Sequence, residues 1–152
     1  MIQVYNTLLA LVANNVFPYA MRPDSGTLAE LNRVVNDDAE TGLIWLSTLP
    51  EHWQIGVSAT NRQSSFRLYI VWPIGVQASN IKILNYTEAA LHTTESLLEY
   101  WQDGEYSVKL GEARAKPVAR MCASGYCGVS VNVIVTSPTM PCTQSPIDLT
   151  QL

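Results

Sequence analysis

The sequence predicts an α+β fold, a single domain with a mixed, largely antiparallel sheet and two helices packed on it. Three observations predict this class. The chain has 152 residues, about the length of one domain. Apolar residues recur at three- and four-residue steps in two segments, as in amphipathic helices, and alternate with polar residues in others, as in strands. Apolar residues make up 47% of the chain, enough for a core that needs no disulfide or metal.

The first predicted element is an N-terminal helix from about residue 2 to residue 15. Its apolar stripe consists of Ile2, Tyr5, Leu9, Val12 and Val16. A second apolar flank, formed by Val4, Leu8 and Leu11, predicts a helix that is buried on more than one side. Pro18 follows the stripe and predicts the end of the helix.

The region from residue 19 to residue 51 is mixed. Arg22 to Gly26 predicts a turn, Thr27 to Val35 predicts either a short helix or an extended arm, and Asn36 to Asp38 predicts another turn. Leu43 to Leu46 predicts a buried strand. Six acidic residues and one arginine lie between Asp24 and Glu51, a pattern typical of a solvated loop.

The strongest strand signal is a predicted hairpin formed by residues 52–59 and 65–72. In its second strand one face is apolar and the other is partly apolar, so this strand is expected in the middle of the sheet. The residues of the first face are Phe66, Leu68, Ile70 and Trp72.

A second helix is predicted from Asn85, read as its N-cap in a capping box with Glu88, to the terminating Gly104. Strands are expected at residues 105–110 and 128–136. Residues 138–152 contain three prolines and many Thr, Ser and Gln residues, which indicates an extended tail. The predicted organisation is therefore a domain at 1–137 followed by a tail at 138–152.

Charge limits the functions open to this chain. Nine Lys and Arg residues against thirteen Asp and Glu residues give a net charge of −4, which argues against a free-standing nucleic-acid binder. Charged residues make up 14% of the chain, well below the usual ~25%. Such a charge-poor surface indicates contact with neighbouring subunits. Residues 109–120 form the one basic stretch, read as an extended or looping segment that contacts an acidic surface or faces solvent. No segment is expected to cross a membrane.

No set of residues predicts catalysis. The two histidines, His52 and His92, lie at a strand start and on the exposed side of the second helix, and no nucleophile elbow, phosphate-binding loop or zinc-protease motif is present. We therefore expect a protein that is not an enzyme, with no catalytic, cofactor-binding or metal-binding residues and no cofactor.

The three cysteines leave more than one interpretation open. Cys122, Cys127 and Cys142 are an odd number, and free thiols are the favoured interpretation. A disulfide between Cys122 and Cys127, or a zinc site that adds Cys142 and a histidine, remain alternatives.

The order helix, strand, hairpin, helix, strand, with the strand from Phe66 to Pro73 before the second helix, resembles tail-terminator and related head–tail joining proteins of long-tailed bacteriophages. The resemblance covers roughly residues 1–137. It implies a structural virion protein of the neck or tail, made in the host cytoplasm. Such proteins form rings, commonly hexamers, that end the tail tube or join it to the head connector. DNA passes through the ring without sequence-specific binding.

Two other function classes remain open, a small cysteine-containing metal-binding protein or thiol enzyme, and a soluble adaptor domain. For a ring, the acidic residues at 24–51 and the basic stretch at 109–120 are expected to set the register between subunits through their opposite charges. Most of the tryptophans are expected in the core, with one or two at an interface; they are Trp45, Trp53, Trp72 and Trp101.

Overall fold

A computed structural model describes residues 2–13, 17–33, 41–47, 49–54, 61–104, 109–122 and 124–138. It confirms the α+β class, with a six-stranded, mostly antiparallel sheet and three helices. The predicted turn at residues 36–38, residues 55–60 of the predicted hairpin, residues 105–108 of the strand predicted at 105–110, Cys142 and all but the first residue of the tail at 138–152 lie outside the described residues.

The described chain contains three helices and six strands. The helices are α1 (Ile2–Ala13), α2 (Leu28–Arg33) and α3 (Asn80–Asp103). The strands are β1 (Met21–Gly26), β2 (Gly42–Ser47), β3 (His52–Gln54), β4 (Asn61–Pro73), β5 (Lys109–Met121) and β6 (Tyr126–Pro138). The sheet order is β1-β2-β4-β6-β5, with β3 paired to β4 off this path. Among the strand pairs of the described residues, β1–β2 is parallel and the others are antiparallel.

Strand β4 lies in the middle of the sheet, as predicted. It pairs with β6 over its whole length, from Asn61 opposite Pro138 to Pro73 opposite Tyr126. Its other edge pairs first with β3 and then with β2. The predicted alternation is also confirmed, because the Phe66-to-Trp72 face belongs to the main core.

Helices α1 and α3 cover one side of the sheet, which we call the helical face. Their buried residues share one cluster with alternate residues of β2, β4 and β6. The third helix, α2, packs on the other side, which we call the opposite face. There Leu31 contacts a smaller cluster that includes Trp45 and Tyr126. Of the two alternatives predicted for residues 27–35, the short helix is formed, and this six-residue helix joins the two packed helices of the predicted fold.

The second predicted helix begins earlier than expected. Helix α3 starts at Asn80 rather than Asn85, because Ser79 is the N-cap and its hydroxyl accepts the Lys82 N–H. A side-chain cap is also present on α2, where the Thr27 hydroxyl accepts the Glu30 N–H at 3.2 Å.

The two edge strands of the sheet, β1 and β5, each contain a proline. The segment from Arg22 to Gly26, predicted as a turn, is most of β1, and the basic stretch forms most of β5 rather than a loop. Both strands lie at sheet edges, where the missing N–H of Pro23 or Pro117 removes no essential ladder bond. The turn-forming residues of these two segments therefore indicated turns or loops, whereas the sheet accommodates such residues in its edge strands.

The β5–β6 turn packs tightly against the β4–α3 loop, and Gly125 makes this possible. Its φ is +64°, and a Cβ at this position would overlap the backbone of Gly75 and Val76. The Gly75 N–H also donates to the Ser124 carbonyl at 3.2 Å. The approach of the two loops therefore requires a residue without a side chain.

We predict that Gly125→Ala lowers the free energy of unfolding by about 3 kcal/mol, through backbone strain and this overlap. The matched control is Gly75→Ala. Gly75 has φ +89° but an added Cβ would meet no atom within 4 Å, so only strain of about 1 kcal/mol is expected. Urea unfolding of both variants measures the difference. Equal losses would contradict the close approach.

Candidate functional site

The opposite face carries an open, positively charged groove across β4, β6 and β5. We call it the cationic groove. It has a volume of about 310 Å³. Its lining residues are Arg67, Arg114, Ala115, Lys116, Ser130 and Asn132.

Strand register brings these side chains together from distant parts of the chain. Asn132 pairs with Arg67 on one side and Arg114 on the other, which forms a cation–amide–cation row. The next row on the same face places Ser130 between Tyr69 and Lys116. Residues two apart on a strand share a face, so both rows point to the same side of the sheet.

Carboxylates of the same subunit neutralise part of the groove. Arg67 Nε lies 2.7 Å from Glu51 Oε1, and Arg114 Nη2 lies 3.1 Å from Glu112 Oε1. Among the described residues, Lys116 has no carboxylate within ion-pair distance. The three cations thus exceed the two carboxylates, and the groove keeps a positive excess.

Neutral donors add to this charge. The Ser65 hydroxyl donates to Asn132 Oδ1 at 2.8 Å. With its oxygen engaged, the Asn132 amide retains its two N–H donors. Cations and amide donors together suit a negatively charged group that enters from solvent.

The predicted basic stretch therefore divides between two roles. Arg114 and Lys116 line the groove, whereas Arg120 donates from Nη2 to the Ala78 carbonyl at 3.2 Å and ties the β5–β6 turn to the loop before α3. Glu51, a member of the predicted acidic arm, pairs with Arg67 of its own subunit. Of the other acidic residues of that arm, Asp24 lies on β1 and Glu30 on α2, whereas those at positions 37, 38 and 40 lie outside the described residues.

The outer surface of α3 is the second unusual surface. Its inward side packs on the sheet through buried residues such as Ala90, Leu97 and Trp101. On the outward side of its first turns, Ile81 and Leu84 are 73% and 64% exposed. An isolated exposed apolar residue is ordinary, but two neighbours one turn apart form a patch that water solvates poorly.

The rest of this outward side is acidic. We call it the acidic ridge, formed by Glu88, Glu95, Glu99 and Asp103. The spacings of seven, four and four residues place these carboxylates on one helix face, and all four residues are exposed. His92 is exposed on the same side, as predicted, with Nδ1 3.8 Å from Glu95 Oε2.

The cysteines of the described region lie on different sides of the sheet. Cys127 is fully buried on the helical face, where its thiol donates to the Ile83 carbonyl at 3.5 Å. Cys122 packs against the small cluster on the opposite face, and burial raises the pKa of its thiol. Both are free thiols. The Cys122–Cys127 disulfide considered from the sequence is therefore not formed.

We predict that replacing Cys122, Cys127 and Cys142 together by serine leaves the fold intact. A serine hydroxyl at 127 can donate to the same carbonyl, so the loss of unfolding free energy should stay within about 2 kcal/mol. Thermal melting and the zinc content of both proteins measure this. An unfolded variant whose parent carries stoichiometric zinc would support the metal-site alternative instead.

The remaining expectations concern the tryptophans, metal ligands and membrane-spanning segments. Trp45, Trp72 and Trp101 are buried, whereas Trp53 on β3 is 52% exposed. Within the described ranges, no three His, Cys, Asp or Glu side chains are grouped as metal ligands. None of the described helices is long and apolar enough to cross a bilayer.

Sequence reasoning missed two groups of residues at these surfaces. Arg67 joins the groove only through the β4–β6 pairing, although its alternation with the apolar residues of β4 was visible. The acidic ridge was also visible as a helical spacing. Comparison with protein-family models finds no match, and a search of curated proteins finds no similar sequence.

Proposed function

We propose that this chain is a structural subunit that assembles with copies of itself into a ring. Following the resemblance, we place the ring in the neck or tail of a long-tailed bacteriophage, where it ends the tail tube or joins it to the head connector. The protein acts through its shape and surfaces rather than through catalysis. The exposed apolar pair Ile81 and Leu84 on α3 is the observation that carries the proposal.

The occupant of this patch is a second copy of the chain. A ring uses heterologous contacts, in which two different surfaces of each subunit meet. The described chain offers two such surfaces, the outer side of α3 and the cationic groove on the other side of the sheet. A charge-poor protein with a net charge of −4 also has little repulsion to overcome when copies meet.

The edge strand β5 favours contact between subunits through the faces of their sheets over pairing of strands between subunits. Strand β5 has 13 residues, but its register shifts at Leu110/Ala113 and at Val118/Met121, and Pro117 lies between these shifts. Bulges, proline and cations are the features that prevent pairing between edges of neighbouring molecules. Subunits are therefore expected to meet through side chains.

The contacts of the cysteines favour the assembly proposal over a thiol enzyme. Cys127 is buried beneath α3, and the raised pKa of Cys122 disfavours the thiolate that nucleophilic chemistry requires.

Light scattering coupled to size exclusion tests the proposal. A ring predicts a particle several times the monomer mass of 16.8 kDa, which persists on dilution or dissociates cooperatively. A strictly monomeric protein across the micromolar range, with and without neck and tail partners, would contradict it.

A further inference from the structure

We propose that the cationic groove of one copy receives the acidic ridge of α3 from the next copy. This inference rests on the proposed self-assembly and names its contact. It assigns the groove an occupant, the C-terminal half of α3 of a second copy of this chain.

The two surfaces lie on opposite sides of the same sheet. Helix α3 packs on the helical face and points its acidic ridge away from the sheet, whereas Arg67, Arg114 and Lys116 project from the opposite face. Neither surface can therefore reach the other within one subunit. Copies that join ridge to groove form a directional series, which is the contact geometry that closes into a ring.

The dimensions of the two surfaces match. Arg67 and Arg114 are on strands separated only by β6, so their backbones lie about 10 Å apart. Along α3, Glu95 and Asp103 are eight residues apart, or about 12 Å, with Glu99 between them. A helix whose axis crosses β6 from β4 towards β5 can thus place one of these carboxylates near each of the two arginines.

The charges at the two ends of α3 are unfavourable for its helix dipole. This favours a role for its acidic residues outside the helix itself. Its last turn contains Asp103 and no basic residue, and its first turn contains no acidic residue. A carboxylate in the last turn of a helix is destabilising because it lies at the negative end of the helix dipole. Pairing with cations of another subunit offsets this cost.

The ridge also fits the groove better than a nucleic acid does. The net charge of −4 opposes approach of a polyanion over most of the protein, and Glu51 and Glu112 border the groove itself. The four carboxylates of the acidic ridge carry a small negative charge, which suits a groove lined by three cations. Its apolar first turns, at Ile81 and Leu84, extend the same outer side and add hydrophobic contact area.

Two charge-reversed proteins test the contact. The groove variant carries Arg114→Glu and Lys116→Glu, and the ridge variant carries Glu95→Lys and Glu99→Lys. In each variant alone, like charges meet at every contact, so the dissociation constant of the oligomer should rise about tenfold or more. When the two variants are mixed in equal amounts, opposite charges meet at every contact, and particles of wild-type mass should form again.

Restoration by mixing separates a contact from a folding defect, because a misfolded variant cannot be rescued by another variant. The ridge variant should also melt close to the wild-type temperature, since both replaced side chains are exposed. The control carries Arg33→Glu and Lys82→Glu, exposed cations on α2 and off the ridge of α3, and should assemble normally.

Light scattering at low and physiological ionic strength measures all five samples. Wild-type oligomers that both reversed variants form equally well would overturn the ridge–groove contact and leave the proposed assembly standing. Wild-type monomers would overturn both. A short DNA duplex that binds the wild type and loses binding only in the groove variant, with oligomer mass unchanged, would replace the ridge by nucleic acid as the occupant.

Discussion

Replacing Ile70 by aspartate is expected to cost at least about 3 kcal/mol of unfolding free energy and to leave little folded protein. Ile70 has no exposed surface and lies on β4, between β2 and β6 and beneath the helices. A carboxylate at this position finds no cation in the main core, whose members are apolar. Urea unfolding followed by tryptophan fluorescence measures the loss.

The control for this substitution is Leu49→Asp, which introduces the same charge at a residue that is 68% exposed. It should change the unfolding free energy by no more than about 0.5 kcal/mol. If Ile70→Asp unfolds at the same urea concentration as the wild type, β4 is not the centre of the sheet.

The double variant Ile81→Asp with Leu84→Asp is expected to abolish assembly while leaving the subunit folded. Both side chains point outward from α3, so the change removes no contact of the main core. It places two charges where the neighbouring copy is expected to bury apolar surface, and the buried charges would lack partners. Light scattering should show monomers, and circular dichroism should remain that of the wild type.

The matched control places the same two charges elsewhere, as Leu28→Asp with Leu49→Asp. Leu28 is 54% exposed on α2, away from α3. This control should form particles of wild-type mass. If instead the control dissociates and the α3 variant assembles, the apolar patch on α3 is not the contact.

The sequence predicted those elements in which one local pattern dominates. Alternation along β4 predicted its central position and its two faces, because apolar residues on both sides require layers on both sides. The apolar periodicity of α1 predicted a helix, which the structure places at Ile2–Ala13. Its buried apolar residues are those of the second flank, Val4, Leu8 and Leu11, whereas Leu9 of the predicted stripe is exposed.

Elements decided by distant contacts could not be predicted in the same way. Arg22 to Gly26 has turn-forming residues, and only its parallel pairing with β2 makes it a strand. At α3 the sequence predicted Asn85 as the N-cap, but Ser79 caps the helix and Asn85 lies inside it. Local patterns do not report which of several segments a distant part of the chain will pair with or pack against.

The two candidate surfaces also differ in how far the sequence could predict them. The acidic ridge follows from helical spacing alone and was available from the sequence. The groove requires the registers β4–β6 and β5–β6, which bring Arg67 within reach of residues more than 40 positions later in the chain. Pairing between strands so far apart in the sequence depends on the whole fold. The basic stretch therefore predicted Arg114 and Lys116 of the groove but not Arg67.

Negative-stain electron microscopy of the purified protein tests the central claim of assembly through two different surfaces most directly. The proposal predicts closed rings with a central opening and one rotational symmetry, in which every subunit has the same orientation. Symmetric dimers, in which identical surfaces meet, or monomers at the concentrations expected during virion assembly would contradict it.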